Sequence, residues 1–239
     1  MKSSIDNLSI KLFADGADIN TMKEMSQKTF IKGLTTNPTL MRKAGIVDYK
    51  EFAREVLREI TDKPISFEVF SDEIDEMIVQ GVEIASWGKN VNVKIPITNS
   101  KGYSTEKVIR TLSREGIALN VTAILTIEQV QHVLDSIENS SSLFISVFAG
   151  RIADTGQDPV PIMKEALRRI QGASGAELIW ASPRELLNVI QANDIGCHII
   201  TATSDILKKI ELIGKDLSQY SLETVKMFRD DAIASGFSI

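Results

Sequence analysis

The chain has 239 residues, a formal net charge of −5, and 43% hydrophobic against 25% charged residues. This is the balance of a globular protein with a full-sized core, long for a small domain and ordinary for one α/β barrel. It carries no basic block of the kind nucleic acid needs and no apolar run of membrane-spanning length; its one cysteine, Cys197, excludes an internal disulfide framework and zinc sites built from cysteine pairs.

The first residues, Met1 to Asp6, lack the apolar core of a signal peptide. A cytoplasmic, reducing location is the default expectation, in which the sequons Asn120-Val121-Thr122 and Asn139-Ser140-Ser141 stay unglycosylated.

Short apolar segments recur along the chain, each bounded by Gly, Pro, Asn or Asp, and these read as strands. In order they are Ile10–Ala14, Phe30–Leu34, Ile65–Phe70, Val91–Ile95, Ile117–Val121, Leu143–Phe148, Glu177–Ala181 and Cys197–Ile200. Helical patterns lie between them: Tyr49–Ile60, Glu73–Trp87, Thr105–Leu112, Ile127–Ile137, Pro161–Ile170, Pro183–Ile190 and Ser204–Ile213. Asp48 with Glu51, and Ser71 with Ile74, carry helix-start chemistry, and Pro183 suits a first helical turn. Strands alternating with helices without a linker predict a single (β/α)8 TIM barrel over 1–239. The alternative, an open doubly wound sheet, usually carries a glycine-rich phosphate loop after its first strand, and Asp15-Gly16-Ala17-Asp18 does not fit that fingerprint. A further amphipathic helix near Ser218–Ser235, within a C-terminal segment 218–239, is left to pack on the barrel or on a neighbouring subunit.

Barrel chemistry gathers at the C-terminal ends of the strands. Those ends carry Asp15, then Thr35-Thr36-Asn37-Pro38, Glu68, Lys94, Asn120 with Thr122, Ser146 leading to Arg151, and Ser182 with Arg184. Ser66 and Glu68, Asn92 and Lys94, and Asn120 and Thr122 each share one face of their strand. Lys94 stands out, because the alternation Val91-Asn92-Val93-Lys94-Ile95 directs its amine into protein. Desolvation favours a neutral amine, which can attack a carbonyl to form a Schiff base. Taken singly, each of these residues has an ordinary competing explanation: a lysine that snorkels to solvent, loop polars serving turn chemistry, an Arg151–Asp154 pair. The recurrence of polar strand ends around a central lysine is harder to account for that way. Cys197, His132 and His198 read as structural, and Trp180 as core.

These segments resemble the transaldolase family, specifically its short-chain branch that includes fructose-6-phosphate aldolases. The resemblance rests on Phe13-Ala14-Asp15-Gly16-Ala17-Asp18, Gly33-Leu34-Thr35-Thr36-Asn37-Pro38-Thr39-Leu40, Val91–Pro96, Asn120-Val121-Thr122, Ser146–Ile152 and Ala181-Ser182-Pro183-Arg184, in family order. It implies a lysine Schiff base at Lys94 that transfers a dihydroxyacetone unit between sugar phosphates, with no metal or other cofactor. It assigns Asp15 to proton transfer at the C4 hydroxyl, and Glu68 and Thr122 to a proton-shuttling water. Asn37 and Asn120 would bind substrate hydroxyls, Ser146 the dihydroxyacetone unit, and Arg151, Arg184 and Ser182 the phosphate. Short members form pentamers that pair into decamers, so a homo-oligomer is implied.

The chain departs from the family pattern at Ser182-Pro183-Arg184-Glu185, where Ser-Phe-Arg-Asn is common, and at Ala149 and Gly16-Ala17. Glu185 would put a negative charge beside the phosphate. Phe148, counted among the substrate-binding residues, and Glu68 match the transferase branch, since aldolases tend to have Tyr and Gln there. An aldolase acting on a similar or an unusual sugar, and a non-catalytic sugar-phosphate-binding barrel, remain as alternatives.

Overall fold

The eight apolar segments are strands of one closed barrel, all parallel and in sequence order, with the first pairing the last. They are β1 Lys11–Asp15, β2 Ile31–Thr35, β3 Ile65–Glu68, β4 Val91–Pro96, β5 Leu119–Ile124, β6 Leu143–Val147, β7 Ala176–Trp180 and β8 Ile199–Thr203. The structure is a computed structural model that describes residues 5–138 and 142–238. Residues 1–4 at the N-terminus and the sequon Asn139–Ser141 lie outside the described residues. Asn120, in the other sequon, is fully buried and closed to a glycosylating enzyme. Among the described residues, no helix is long and apolar enough to cross a membrane.

The helices are α1 Ile19–Gln27, α2 Pro38–Lys43, α3 Tyr49–Glu59, α4 Ile74–Ala85, α5 Glu106–Arg114, α6 Ile127–Ser136, α7 Ala149–Asp154, α8 Pro159–Ile170, α9 Leu187–Asp194, α10 Ser204–Leu207 and α11 Leu217–Ala234. Asp48 caps α3 by accepting from the Glu51 amide at 2.9 Å, as its position predicts. The Ser71 hydroxyl accepts from the Glu73 amide at 3.1 Å and donates to Glu76, so it braces the approach to α4 rather than capping it.

Three helical expectations are corrected. A helix, α1, links β1 to β2 where the pattern names none; it buries only Met22 and Met25, too thin a stripe to announce itself. Pro183 is not in a first helical turn: it sits in the β7–α9 loop, because Ser182 adopts φ 61° and the Asn188 side chain accepts the Arg184 and Glu185 amides. The segment Ser204–Ile213 is not one helix, since α10 gives way to a 3-10 stretch, Lys208–Leu212.

Strand register positions the site. Asp15 is level with Thr35, Glu68 with Lys94, Lys94 with Asn120, and Pro96 with Thr122. Because side chains alternate across a strand, those groups all point inward. Below them the interior floor combines an apolar cluster, Phe13, Phe144, Ile179, Ala181 and Ile199, with the buried polar side chains of Ser66 and Asn92. The Phe13 and Phe144 rings meet edge-on at 5.7 Å. Gly33 makes room for this floor, since a Cβ there would come within 2.4 Å of the Phe13 ring. Trp180 has the opposite parity and is fully buried outside the interior layer, in agreement with a core role.

The described chain divides into two units, one spanning Ser9–Leu207 and the other joining the residues before Ser9 to Lys208 and beyond. The first contains the whole barrel. In the second, Asp216 caps α11 through the Gln219 amide at 2.8 Å, and the Lys215 ammonium lies 4.7 Å from the Tyr220 ring centre.

Candidate active site

A cavity of about 520 Å³ opens at the C-terminal end of the barrel, lined by Asp15, Asn37, Glu68, Lys94, Thr122, Ser146, Phe148, Arg151, Ser182 and Arg184 among others. Every residue expected at the site lines it except Asn120. That side chain is fully buried beneath: its amide donates to Ser66 Oγ at 2.9 Å, and its oxygen accepts from Ser146 Oγ at 2.7 Å. Asn120 therefore orients Ser146 instead of reaching into the cavity.

Lys94 is 6% exposed. Its Nζ donates to the Thr36 carbonyl at 2.9 Å and lies 3.0 Å from Glu68 Oε2. Glu68 Oε2 accepts no directed hydrogen bond, so the contact is an ion pair whose geometry leaves an ammonium donor for the cavity. The main chain of Glu68 is fixed from behind by the Tyr49 hydroxyl, which donates to its carbonyl at 3.0 Å. Burial pushes the Tyr49 phenol up, so it remains a donor.

Asp15 accepts from Thr35 Oγ1 at 2.8 Å and, weakly, from the Asn37 amide at 3.5 Å. Burial raises its carboxyl above the ordinary carboxylate range; the nearby Lys94 and the Thr35 hydrogen bond oppose that, and Glu68 adds to it. Asn37 also caps α2, its Oδ1 accepting the Leu40 amide at 3.0 Å. Thr122 Oγ1 is buried against the cavity with no protein partner, so it is free to hold a small polar ligand.

The outer end of the cavity is cationic. The Arg151 guanidinium stacks 5.7 Å from the Phe148 ring centre. Arg184 is held by both oxygens of Asp154, with Nε to Oδ1 at 2.8 Å, and by the carbonyl and hydroxyl of Ser182 at 3.0 and 2.9 Å. The Arg184–Asp154 pair keeps the guanidinium up and the Asp154 carboxyl down in pKa. A negative charge does face Arg184, as the loop sequence suggests, but it comes from Asp154; Glu185 is exposed and does not line the cavity. Ala123 and Ser182, both lining residues, hold φ 61°, a left-handed conformation costly for residues with a Cβ.

Thr35, which the sequence places at a strand end without assigning it a role, lines the cavity; Thr201 and Lys43 line it too, and sequence reasoning missed them. Parity could have found Thr201, since Ile199, Thr201 and Thr203 alternate on β8 as the catalytic candidates do on theirs. His198 faces elsewhere: its Nδ1 accepts the Leu178 amide at 3.0 Å. Cys197 is buried and its thiol is pushed up to about 12 by desolvation. Both fit structural roles.

Residues 12–239 match the model of the Transaldolase/Fructose-6-phosphate aldolase family. The chain belongs to this family. A "Probable transaldolase" of Thermoanaerobacter sp. (strain X514) is 32% identical over 231 residues, covering 96% of this chain and all of the relative. Another, from Streptococcus agalactiae serotype V, is 37% identical over 194 residues, 80% of this chain and 85% of its own. Among solved structures, dihydrodipicolinate synthase from Rhodopseudomonas palustris superposes with a TM-score of 0.58 at 11% identity, covering 97% of this chain and 81% of that one. That likeness concerns the barrel fold alone. Membership in the family makes the chain an enzyme of transaldolase type.

Proposed function

We propose that this protein is a transaldolase that moves a dihydroxyacetone unit between sugar phosphates through a Schiff base on Lys94. The observation that carries the reading is the buried Lys94 amine, paired with the Glu68 carboxylate and sharing one cavity with a second, partly buried carboxylate, Asp15.

A proton passes from the Lys94 ammonium to Glu68, the neutral amine adds to the C2 carbonyl of a ketose phosphate, and water leaves to give an iminium. Glu68 and Thr122 manage the protons of that addition and dehydration. The C3–C4 bond then breaks, its electrons passing to the iminium to form an enamine. Asp15 takes the C4 hydroxyl proton, and the aldose phosphate departs. The enamine attacks an acceptor aldehyde, Asp15 returns its proton to the new hydroxyl, and hydrolysis frees Lys94. Asn37 and Ser146, the latter set by Asn120, hold the three-carbon fragment. Arg151, Arg184 and Ser182 bind the phosphate, and Phe148 walls the site beside Arg151.

Incubation with fructose 6-phosphate followed by borohydride reduction tests the covalent step: an adduct mapped to Lys94 is expected, and its absence with several ketose phosphates overturns it. Rapid release of glyceraldehyde 3-phosphate without erythrose 4-phosphate would instead favour the aldolase. The same reading makes the enzyme a cytoplasmic homo-oligomer, pentamer or decamer, joined through α11. Within its own unit this helix leaves Leu222, Val225, Met227 and Phe228 uncovered. Light scattering on a chain ending at Asp216 is expected to give a smaller particle, and an unchanged mass removes α11 from the interface.

A further inference from the structure

We propose that Thr201 is a positioning residue which, acting through Thr35, sets the protonation of Asp15. Thr201 Oγ1 lies 2.6 Å from Thr35 Oγ1, and Thr35 Oγ1 lies 2.8 Å from Asp15 Oδ1. Both threonines are buried, at 6% and 3% exposure. The three groups come from β8, β2 and β1, so the chain of bonds is built by barrel closure and not by any local motif.

The direction of the bonds follows from counting hydrogens. Thr35 has a single hydroxyl hydrogen. When Asp15 is ionised, that hydrogen goes to Oδ1, and Thr35 must then accept from Thr201. Thr201 thus polarises the hydroxyl that solvates the carboxylate, in a setting where such bonds reinforce one another. When Oδ1 carries the proton, Asp15 donates to Thr35, and Thr35 turns to donate to Thr201. The hydroxyl pair serves both states of Asp15.

The other groups facing Asp15 cannot do this. Lys94 on β4 favours the ionised form and Glu68 on β3 the protonated form, each through its charge and not through a hydrogen bond to Asp15 that can reverse. The Asn37 amide, at 3.5 Å from Oδ2, only donates. Arg151, Arg184 and Lys43 stand among the other lining residues, as fixed positive charges. A base that takes and returns a proton within one catalytic cycle gains from partners that reverse. That consequence rests on the aldol reading above; the coupling of Thr201 to Asp15 does not.

The full-length protein, labelled with 13C-aspartate, tests the coupling directly, with the Asp15 carboxyl resonance assigned by Asp15→Asn. In Thr201→Val the titration midpoint of Asp15 is expected to rise by roughly half a pH unit, while Thr201→Ser stays at the wild-type value. The acid limb of kcat moves with it and KM does not. Thr201→Ala, which keeps no hydroxyl and adds no bulk, serves if the valine variant fails to fold. An unchanged midpoint in either folded variant, or a serine variant that shifts as valine does, overturns the proposal. Failure of the wild type to form a Lys94 adduct removes the aldol reading, and the titration still decides the coupling.

Discussion

Glu68 Oε2 and Lys94 Nζ are 3.0 Å apart with their side chains 14% and 7% exposed, so the proposed nucleophile and its carboxylate partner are buried as a pair. Removing one member of such a pair strands the other charge, which costs more than the pair contributes. Lys94→Met is therefore expected to lose both borohydride trapping and about 3–5 kcal/mol of stability. Adding Glu68→Gln removes the stranded carboxylate and recovers most of that loss. Denaturant unfolding of the two single variants and the double variant checks this. Equal stability of wild type and Lys94→Met would show that the pair is not energetically coupled.

Asp15 provides a pH test with a definite sign. Its folded carboxyl is held above its ordinary value of 3.8, first by burial. Its contribution to stability is thus fully present below that value and is lost as pH rises through the folded pKa. Asp15→Asn cannot ionise, so relative to wild type it gains stability on going from pH 4 to neutral. Paired melting curves across that range measure the difference. A difference that stays flat, or that runs the other way, would contradict the burial argument.

The barrel was legible because its strands alternate with period two and its outer helices with period 3.6. The same parity that marked Lys94 also aligned Glu68, Asn92 and Asn120, and the observed register puts Glu68, Lys94 and Asn120 side by side, with Asn92 level with Ser66 below them. Less legible was what depends on the third dimension. Nothing local in Asn120 says that Ser66 and Ser146 absorb its amide, and nothing in Arg184 says that Asp154, thirty residues earlier, takes its fork. The helices α2 and α7 are short turns following strand ends, each with only six residues, too brief for periodicity to register. Asn37 illustrates the overlap: one side chain caps α2 and faces the cavity.

Asp154 occupies Arg184 much as a phosphate would, offering two oxygens to one guanidinium face. The two side chains are 52% and 44% exposed, so the pair is worth little. Asp154→Asn is expected to lower KM for a phosphorylated ketose by up to about five-fold, leaving kcat near wild type. Added salt should narrow the gap, because it screens the competing carboxylate. A raised KM would mean that Asp154 aims the arginine and does not compete with substrate.

Gly150 is the point where the α7 backbone passes the loop of Ser182 and Arg184 proposed to bind phosphate. A Cβ there would lie 1.6 Å from the Ser182 carbonyl oxygen and 3.4 Å from the Arg184 guanidinium carbon. Backbone cannot yield as a side-chain tip can, so Gly150→Ala must displace the Ser182 turn, which already sits at φ 61°. Overpacking of this kind costs about 1–3 kcal/mol. The displacement also drags Ser182 and Arg184 away from Arg151. Thermal melting is expected to show the loss of stability, and KM for phosphorylated substrate to rise while an unphosphorylated ketose such as dihydroxyacetone reacts unchanged. That selectivity separates a shifted phosphate loop from general damage: a variant impaired equally on both substrates would place the disturbance at Lys94 and its neighbours instead.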